Sequence, residues 1–463
     1  MDKKTAMEYR ESLKGKKILV VGLGKSGKAA VRALNELGAD VEGQDAATAD
    51  RLDTQFLSHT ENQNIKLHLG VTPEDMSVYD MLVLSPGVAP DQDFIHEADA
   101  MGAEIIGELE LAYRITVGQY IAITGTNGKT TTTTLVGEIF EAAGMKEAVV
   151  GNIGNPVVSE AMISTEGEWM VAEVSSFQLE TTVNFRPVIS AILNLTPDHL
   201  NRHGTMEAYA AAKAKVAENQ TPDEYLVINY DDSECMKLAD NTKAKVVPFS
   251  RTAQLESGAY IDEEYITVKD FDGTSHRICR TSELKIIGDH NVENALAAAA
   301  ISYFAGIDPE IIGDAIRNFA GVEHRIEFCG NVDGIEFYND SKGTNVDAAV
   351  IALKALEDNI ILIAGGDGKA QDFTELAKNL KGRVKTLVLL GRDADQIEEA
   401  ARAQGFTEII NCKDMPDCVR TAKSVADEGD KVLLSPACAS WDMYSNYEQR
   451  GRHFKECVKE LLK

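Results

Sequence analysis

No stretch of this sequence is apolar for long enough to cross a bilayer, which argues against a helical membrane protein. No C-x-x-C pair occurs, and the seven cysteines (Cys235, Cys279, Cys329, Cys412, Cys418, Cys438, Cys457) are an odd set. Reduced thiols therefore fit better than a disulfide framework or structural zinc. Met1 to Lys17 is charged and lacks an apolar h-region, so the expectation is no signal peptide and a cytoplasmic protein. Positive charge is scarce: 46 Lys and Arg stand against 74 Asp and Glu, a net charge of −28, and no Lys/Arg cluster appears. That excludes nucleic acid as a partner, since phosphate binding needs a basic face. Low-complexity tracts and short-period repeats are also missing. What remains is an ordinary globular composition, 26% charged and 44% hydrophobic, over 463 residues, room for about three domains with separate cores.

The most informative segment is Thr124-Gly125-Thr126-Asn127-Gly128-Lys129-Thr130-Thr131, between the apolar run Tyr120–Ile123 and a helical stretch from Thr132 to Ala143. A glycine-rich turn at a helix N-terminus aims backbone N–H groups at phosphates, a lysine adds a mobile cation, and a Thr hydroxyl can hold Mg²⁺. The general P-loop places a glycine where this chain has Ile123, so the loop is a shortened variant. The bland alternative is a Gly/Thr-rich helix cap.

Strand-then-helix blocks around this loop predict an α/β protein of three domains. Residues 1–107 read as Rossmann-like, 108–320 as a central P-loop mononucleotide-binding domain, and 321–463 as a second Rossmann-like domain. In the first, a strand at Lys16–Val21 turns through Gly22-Leu23-Gly24-Lys25-Ser26-Gly27, and Asp40–Asp45 reads as the next strand, ending on the acidic Asp45. Read alone, this pattern says NAD and an oxidoreductase, but its physical content is a tight turn against a pyrophosphate, which UDP also carries. Met81–Leu84 runs into Ser85-Pro86-Gly87, at the sheet end where such folds bind ligands. In the second block, Trp169–Ser176 reads as a buried strand with Glu173 near its end, a candidate for Mg²⁺ directly or through water, or else a paired structural glutamate. Ile189–Leu195 is another strand, leading to Thr196-Pro197-Asp198-His199-Leu200-Asn201-Arg202-His203. His199 and His203 are spaced to share a helix face, but no third zinc ligand is evident, so His199 is placed at the active site and His203 beside it. The third block carries strands at Ile360–Ala364, Thr386–Leu390 and Lys431–Leu434.

Several of these motifs together resemble the Mur ligases. They are Thr124–Thr131, Glu173–Glu180 (EVSSFQLE), Asn194–Leu200 (NLTPDHL), Gly288–Asn294 (GDHNVEN), Gly321–Arg325 (GVEHR), Tyr338–Asn345 (YNDSKGTN) and Ala364–Lys369 (AGGDGK). The resemblance spans essentially the whole chain. Gly22–Gly27, Ser85–Gly87 and Ser435–Asp442 resemble the D-glutamate-adding branch. Folylpolyglutamate synthases share the P-loop variant but lack a first domain of this kind. The resemblance implies ATP-dependent joining of D-glutamate to UDP-N-acetylmuramoyl-L-alanine through an acyl phosphate, by a monomer.

It also implies site residues. Lys129, His199 and Lys213 would be catalytic. Gly125, Thr126, Asn127, Gly128, Lys129, Thr130 and Thr131 would hold the ATP phosphates, Asn294 the adenine, Asp340 the ribose, with His324 and Arg325 beside them. Two Mg²⁺ sites are implied, one on Thr130 and Glu173, the other on His199 and a Lys213 carbamylated by CO₂. From the sequence alone Lys213 reads as a solvent-facing helix lysine. The UDP substrate would meet Lys25, Ser26, Asp45, Ser85 and Asn152, and D-glutamate would meet His199, Thr344, Lys369, Ser440 and Tyr447. One departure stands out: Asp45 is followed by Ala46-Ala47 where some members of the family it resembles carry Thr-Arg on uracil and phosphate. Uracil contacts must differ here, and Lys25, Ser26 and Ser85 would take more of the diphosphate. A nicotinamide oxidoreductase or a non-catalytic nucleotide-binding protein would leave Lys129, Glu173, His199 and Lys213 unexplained.

Overall fold

Apolar runs too continuous for a one-sided sheet become strands buried on both faces. In the computed structural model, which describes residues 3–369 and 371–462, Ile18 and Val20 point into one apolar core while Leu19 and Val21 point into another. This alternation is the period-two geometry of a strand with helices on both sides. The chain divides into two compact units, Met1–Glu283 with Glu293–Asn318, and Leu284–Val292 with Phe319–Lys463. Met1, Asp2 and Lys463, at the outer limits of the predicted first and third domains, lie outside the described residues.

The first unit holds two sheets. One is five-stranded and parallel, in the order Lys66–Leu69, Asp40–Asp45, Lys17–Val21, Met81–Leu84, Glu104–Gly107. The other has nine strands. Within it Gln119–Thr124, third from one edge, is flanked in parallel by Trp169–Glu173 and Ile189–Ile192. Its far edge is extended by the antiparallel pairs among Gly258–Asp262, Tyr265–Lys269 and Ser275–Arg280. The second unit has a six-stranded sheet in the order Glu327–Val332, Ile335–Asn339, Lys431–Leu434, Ile360–Ala364, Val384–Leu389, Ile409–Asn411. Only its first pair is antiparallel.

The expected strands at Asp40–Asp45, Met81–Leu84, Ile360–Ala364 and Lys431–Leu434 stand as read. Others end early for local reasons. The strand from Trp169 stops at Glu173 because Ser175 caps the helix Ser176–Glu180, in a box closed by Gln178. The helix after the P-loop begins at Lys129, three residues before Thr132, once Gly128 has taken φ +83°.

Candidate active site

The P-loop lies at the carboxyl end of the strand Gln119–Thr124, and its shape is held from the side by Asn194. Asn194 Oδ1 accepts from Asn127 N at 2.8 Å, its Nδ2 donates to Asn127 O at 3.0 Å, and its backbone O accepts from Thr126 N at 3.0 Å. Asn194 can do this because Ile189–Ile192 is the neighbouring strand and ends one turn away. Gly128 is required twice over: its φ is positive, and a Cβ there would sit 2.3 Å from Asn294 Oδ1. Lys129 curls over the loop, its Nζ donating to Gly125 O and Thr126 O, both at 2.8 Å. Thr131 is buried in the first helical turn. Asn294 is also buried and accepts from Thr132 Oγ1 at 3.3 Å, so here it braces the loop's helix.

Beside the loop, Thr130 Oγ1 donates to Glu173 Oε2 at 2.8 Å, and Asn152 Nδ2 donates to Glu173 Oε1 at 2.9 Å. Glu173 is 1% exposed. A buried carboxylate whose two oxygens meet neutral hydroxyl and amide donors, at the start of a phosphate-loop helix, fits a hard divalent cation with oxygen ligands. Asn152 also lines a cleft of about 550 Å³ together with Lys25, Ser26, Asp45, Ser85 and Gln44. All five residues expected to meet the UDP substrate thus share one cavity. Both Asp45 oxygens take backbone amides, from Leu23 at 2.6 Å and Ala47 at 2.7 Å. Its carboxylate thereby shapes the glycine turn while still lining the cleft.

Lys213 corrects the sequence reading. It is not solvent-facing: it is 1% exposed, with Nζ 2.7 Å from Gly125 O, 3.5 Å from Thr124 Oγ1 and 4.6 Å from the Tyr209 ring centroid. Burial, reinforced by the Lys129 charge, holds its amine well below the ordinary lysine range. His199 caps the short helix Leu200–His203 at φ +52°, its ring 4.8 Å from Phe177. His203 faces inward instead, with Nε2 2.9 Å from Ser176 Oγ, and burial lowers its pKa.

In the second unit, the segments after the strands Ile335–Asn339, Ile360–Ala364 and Lys431–Leu434 carry Asp340, Thr344, Lys369, Ser440 and Tyr447, while His324 and Arg325 precede the strand Glu327–Val332. Asp340 is fully buried: Ser435 Oγ donates to its Oδ2 at 2.7 Å, while Oδ1 has Arg325 at 3.6 Å but no hydrogen bond. Burial pushes its pKa up to about 6, against the pull of Arg325 and Ser435. Asn339 fixes the ring of His324. Its Nδ2 donates to Glu327 Oε2 at 3.2 Å while its Oδ1 accepts from Ser341 N at 3.1 Å, so at 2.8 Å His324 Nδ1 accepts and Nε2 carries the proton. That buried Nε2 has no hydrogen-bond partner among the described residues. A donor and an acceptor left open in a buried setting mark where a ligand completes the structure.

Thr344 and Tyr447 are half-buried, Ser440 is buried, and the exposed Lys369 lies with Nζ 4.7 Å from the Trp441 ring centroid. Arg450, buried and unanticipated, ties these loops through Ser341 O at 2.9 Å, Cys438 O at 3.0 Å and Ala439 O at 3.2 Å. The candidates therefore divide: His199 and Asn294 belong to the first unit, and His324, Arg325, Asp340, Thr344, Lys369, Ser440 and Tyr447 to the second. Sequence reasoning missed Asn194, Tyr209, Asn339 and Arg450. Asn194 and Asn339 lay inside quoted motifs, and Tyr209 sits one helical turn before Lys213. Arg450 gave no signal.

Residues 16–107 match the Mur ligase MurD-like N-terminal domain, 123–302 the Mur ligase middle domain and 324–438 the Mur ligase glutamate ligase domain. The chain belongs to the Mur ligase family. It is similar to the UDP-N-acetylmuramoylalanine–D-glutamate ligase of Thermoanaerobacter pseudethanolicus, with 47% identity covering 97% of this chain and 99% of that one. The protein of the same name from Clostridioides difficile is 47% identical over 97% and 99% of the two chains. Among solved structures, a UDP-N-acetylmuramate-alanine ligase from Thermotoga maritima shares the fold at TM-score 0.60 and 20% identity, covering 96% of this chain and 99% of that one.

Proposed function

We infer that this chain is an ATP-dependent ligase that adds D-glutamate to UDP-N-acetylmuramoyl-L-alanine, a step of peptidoglycan precursor synthesis. The observation that carries the reading is the double role of Asn152, which lines the Lys25–Ser26–Asp45–Ser85 cleft and hydrogen-bonds the Glu173 carboxylate beside the P-loop. A substrate held in that cleft extends toward the nucleotide. Its carboxylate oxygen attacks the γ-phosphorus of ATP, the bond to ADP breaks, and an acyl phosphate forms. The amino group of D-glutamate, having lost a proton, attacks the acyl carbon; the C–O bond to phosphate breaks and the nitrogen releases a second proton.

Charge accumulates on the transferring phosphoryl group, and Lys129 is the cation poised over that loop. The ATP contacts extend to Gly125–Thr131, Asn294, His324, Arg325 and Asp340. The open Nε2–H of His324 and the open oxygen of Asp340 offer one donor and one acceptor to the nucleoside, and D-glutamate falls to His199, Thr344, Lys369, Ser440 and Tyr447.

Thr130 and Glu173 would hold one Mg²⁺, and His199 with a carbamylated Lys213 a second. Bound Mg²⁺ supplies neutralisation of phosphate and acyl oxygens. Burial of Lys213 supports carbamylation, because only an uncharged amine adds CO₂, giving N–COO⁻ and a proton, and burial shifts this amine toward its uncharged form. We assign UDP-substrate binding to residues 1–107, ATP to 108–320 and the amino acid to 321–463. We place the enzyme in the cytoplasm, as a monomer without nucleic-acid or membrane partners. Seven free thiols and a net charge of −28 support this placement, as does the lack of any helix, among the described residues, long and apolar enough to cross a membrane.

The deciding assay is phosphate release with UDP-N-acetylmuramoyl-L-alanine while D-glutamate, L-glutamate, L-alanine and L-lysine are offered separately. Release with D-glutamate alone is expected; turnover only with another amino acid would overturn the reading.

A further inference from the structure

Arg202 belongs to no group assigned so far, yet it is among the most connected side chains of the first unit. Its guanidinium donates to Glu180 Oε2 at 2.5 Å, to Val88 O at 3.1 Å and to Pro86 O at 3.3 Å. It also lies over the Phe177 ring, 4.4 Å from the centroid. Pro86 and Val88 belong to the turn after Met81–Leu84, and both line the cleft that holds Lys25, Ser26 and Asp45. Phe177 in turn contacts His199 at 4.8 Å and stacks on His203 at 5.4 Å between ring centroids. One planar cation therefore touches the rim of the cleft on one side and, through a single ring, the candidate metal-binding histidine on the other.

Such a contact is costly to build by chance. Arg202 and Glu180 have side chains only 18% and 16% exposed, so an arginine and a glutamate are largely withdrawn from water to make it. The planar fork reaches two carbonyls and a carboxylate while its face remains on the aromatic ring, an arrangement open to Arg and not to Lys. Cleft turn, guanidinium, ring and histidine form a continuous packed path within one compact unit, the kind of path along which a small shift at one end is felt at the other.

We propose that Arg202 is a positioning residue that couples occupancy of the UDP cleft to the placement of the His199 imidazole. The coupling rests on the reading of that cleft as the UDP site. A ligand diphosphate settling against Ser85–Gly87 fixes the turn, the turn fixes the guanidinium, and Phe177 then confines His199 at the place where acyl transfer needs it. The empty cleft leaves the histidine less defined.

The test follows the imidazole signals of His199 by NMR in the full chain labelled with ¹⁵N-histidine, at one pH, with UDP alone as the probe. The signals are assigned by their loss in His199→Gln. In the unaltered chain UDP is expected to move them. In Arg202→Met, which keeps an apolar stem on Phe177 and loses the fork, UDP should bind within about threefold of its original Kd but leave the His199 signals in place. Phe177→Leu, which retains every Arg202 hydrogen bond and removes only the ring, should uncouple them in the same way and covers the case in which Arg202→Met fails to fold. In turnover, either variant should lower kcat about tenfold or more with the KM for the UDP substrate little changed, the mark of lost alignment and not of lost binding.

If UDP binds and moves His199 equally in the variants, or does not move it in the unaltered chain, the coupling is overturned while the cleft assignment stands. Loss of UDP binding in Arg202→Met would overturn it too, by making Arg202 part of the cleft. If UDP fails to bind the unaltered chain, the cleft assignment itself falls and takes the coupling with it.

Discussion

Two lysines converge on one carbonyl. Lys129 and Lys213 both place Nζ within 2.8 Å of Gly125 O, but their surroundings assign them different chemistry. Lys129 keeps one end toward the nucleotide loop, so Lys129→Ala should remove a charge from the transferring phosphoryl group and lower phosphate release at least about 10²-fold with the fold retained. Near-normal release from a folded variant would refute the assignment. Lys213 is enclosed, and its truncation leaves a hole in place of a surface gap. Lys213→Ala should therefore be almost inactive yet recover part of its activity with acetate, which can enter the hole and supply the missing oxygens. Lys213→Met fills the same space with an apolar chain and should be inactive with or without acetate. Activity assays with and without acetate on Lys213→Ala, Lys213→Met and Lys129→Ala separate these cases, and rescue is expected only in the first. The burial of Lys213 was illegible in the sequence, because Tyr209-Ala210-Ala211-Ala212-Lys213 gives no periodic sign of which side faces inward. Only its position beneath the P-loop decides that.

Elements were most legible where the chain alternates apolar strands with glycine turns. Asp40–Asp45, Met81–Leu84, Ile360–Ala364 and Lys431–Leu434 have the bounds read from sequence, because strands buried on both faces leave a continuous apolar run or a sharp polar stop. Gly258–Asp262, Tyr265–Lys269 and Ser275–Arg280 went unread, since an antiparallel edge partly open to water mixes polar residues such as His276 and Arg277 into its strands. One helix pair carries its own pH response. Glu108, first residue of the helix Glu108–Ile115, is fully buried and accepts from Val158 N at 2.8 Å, at the start of the helix Val157–Ile163. Its other oxygen has no hydrogen-bond partner among the described residues, and burial pushes its pKa from 4.5 up to about 7. The folded chain thus holds this proton more tightly than the unfolded one. The stabilisation is complete below pH 4.5 and is lost as pH rises through about 7, by about 3 kcal/mol in all. Denaturant unfolding at pH 5 and pH 8 should show most of that loss in the unaltered chain and a flatter profile in Glu108→Gln. Equal pH slopes in the two would remove Glu108 as the cause.

At the scale of the whole molecule, the net charge of −28 opposes every anionic substrate the proposed reaction requires. Binding must then rely on fixed cations and helix N-termini acting within about 8–10 Å, where screening by salt is incomplete. A ligand that meets those local groups stabilises the fold and one that does not leaves it unchanged. ATP with Mg²⁺ at about 100 times its Kd should add about 2.7 kcal/mol, whereas NAD should add nothing measurable. A thermal-shift comparison decides it, and stabilisation by NAD in place of ATP would return the Gly22–Gly27 turn to a nicotinamide role.

The clasp between Asn194 and Asn127 has a consequence for how a nucleotide is met. Ordering a loop backbone costs about 1–2 kcal/mol per residue, and a glycine-rich segment has more freedom to lose than most. With Asn194 holding Asn127 by both donor and acceptor, that ordering accompanies folding and is complete before any phosphate arrives. The loop is a mould and not a glove. Association should then proceed in one kinetic phase whose rate rises linearly with ATP concentration, and replacing Asn194 by Asp, which offers no N–H to Asn127 O, should introduce a second, saturating phase as the loop closes around its ligand.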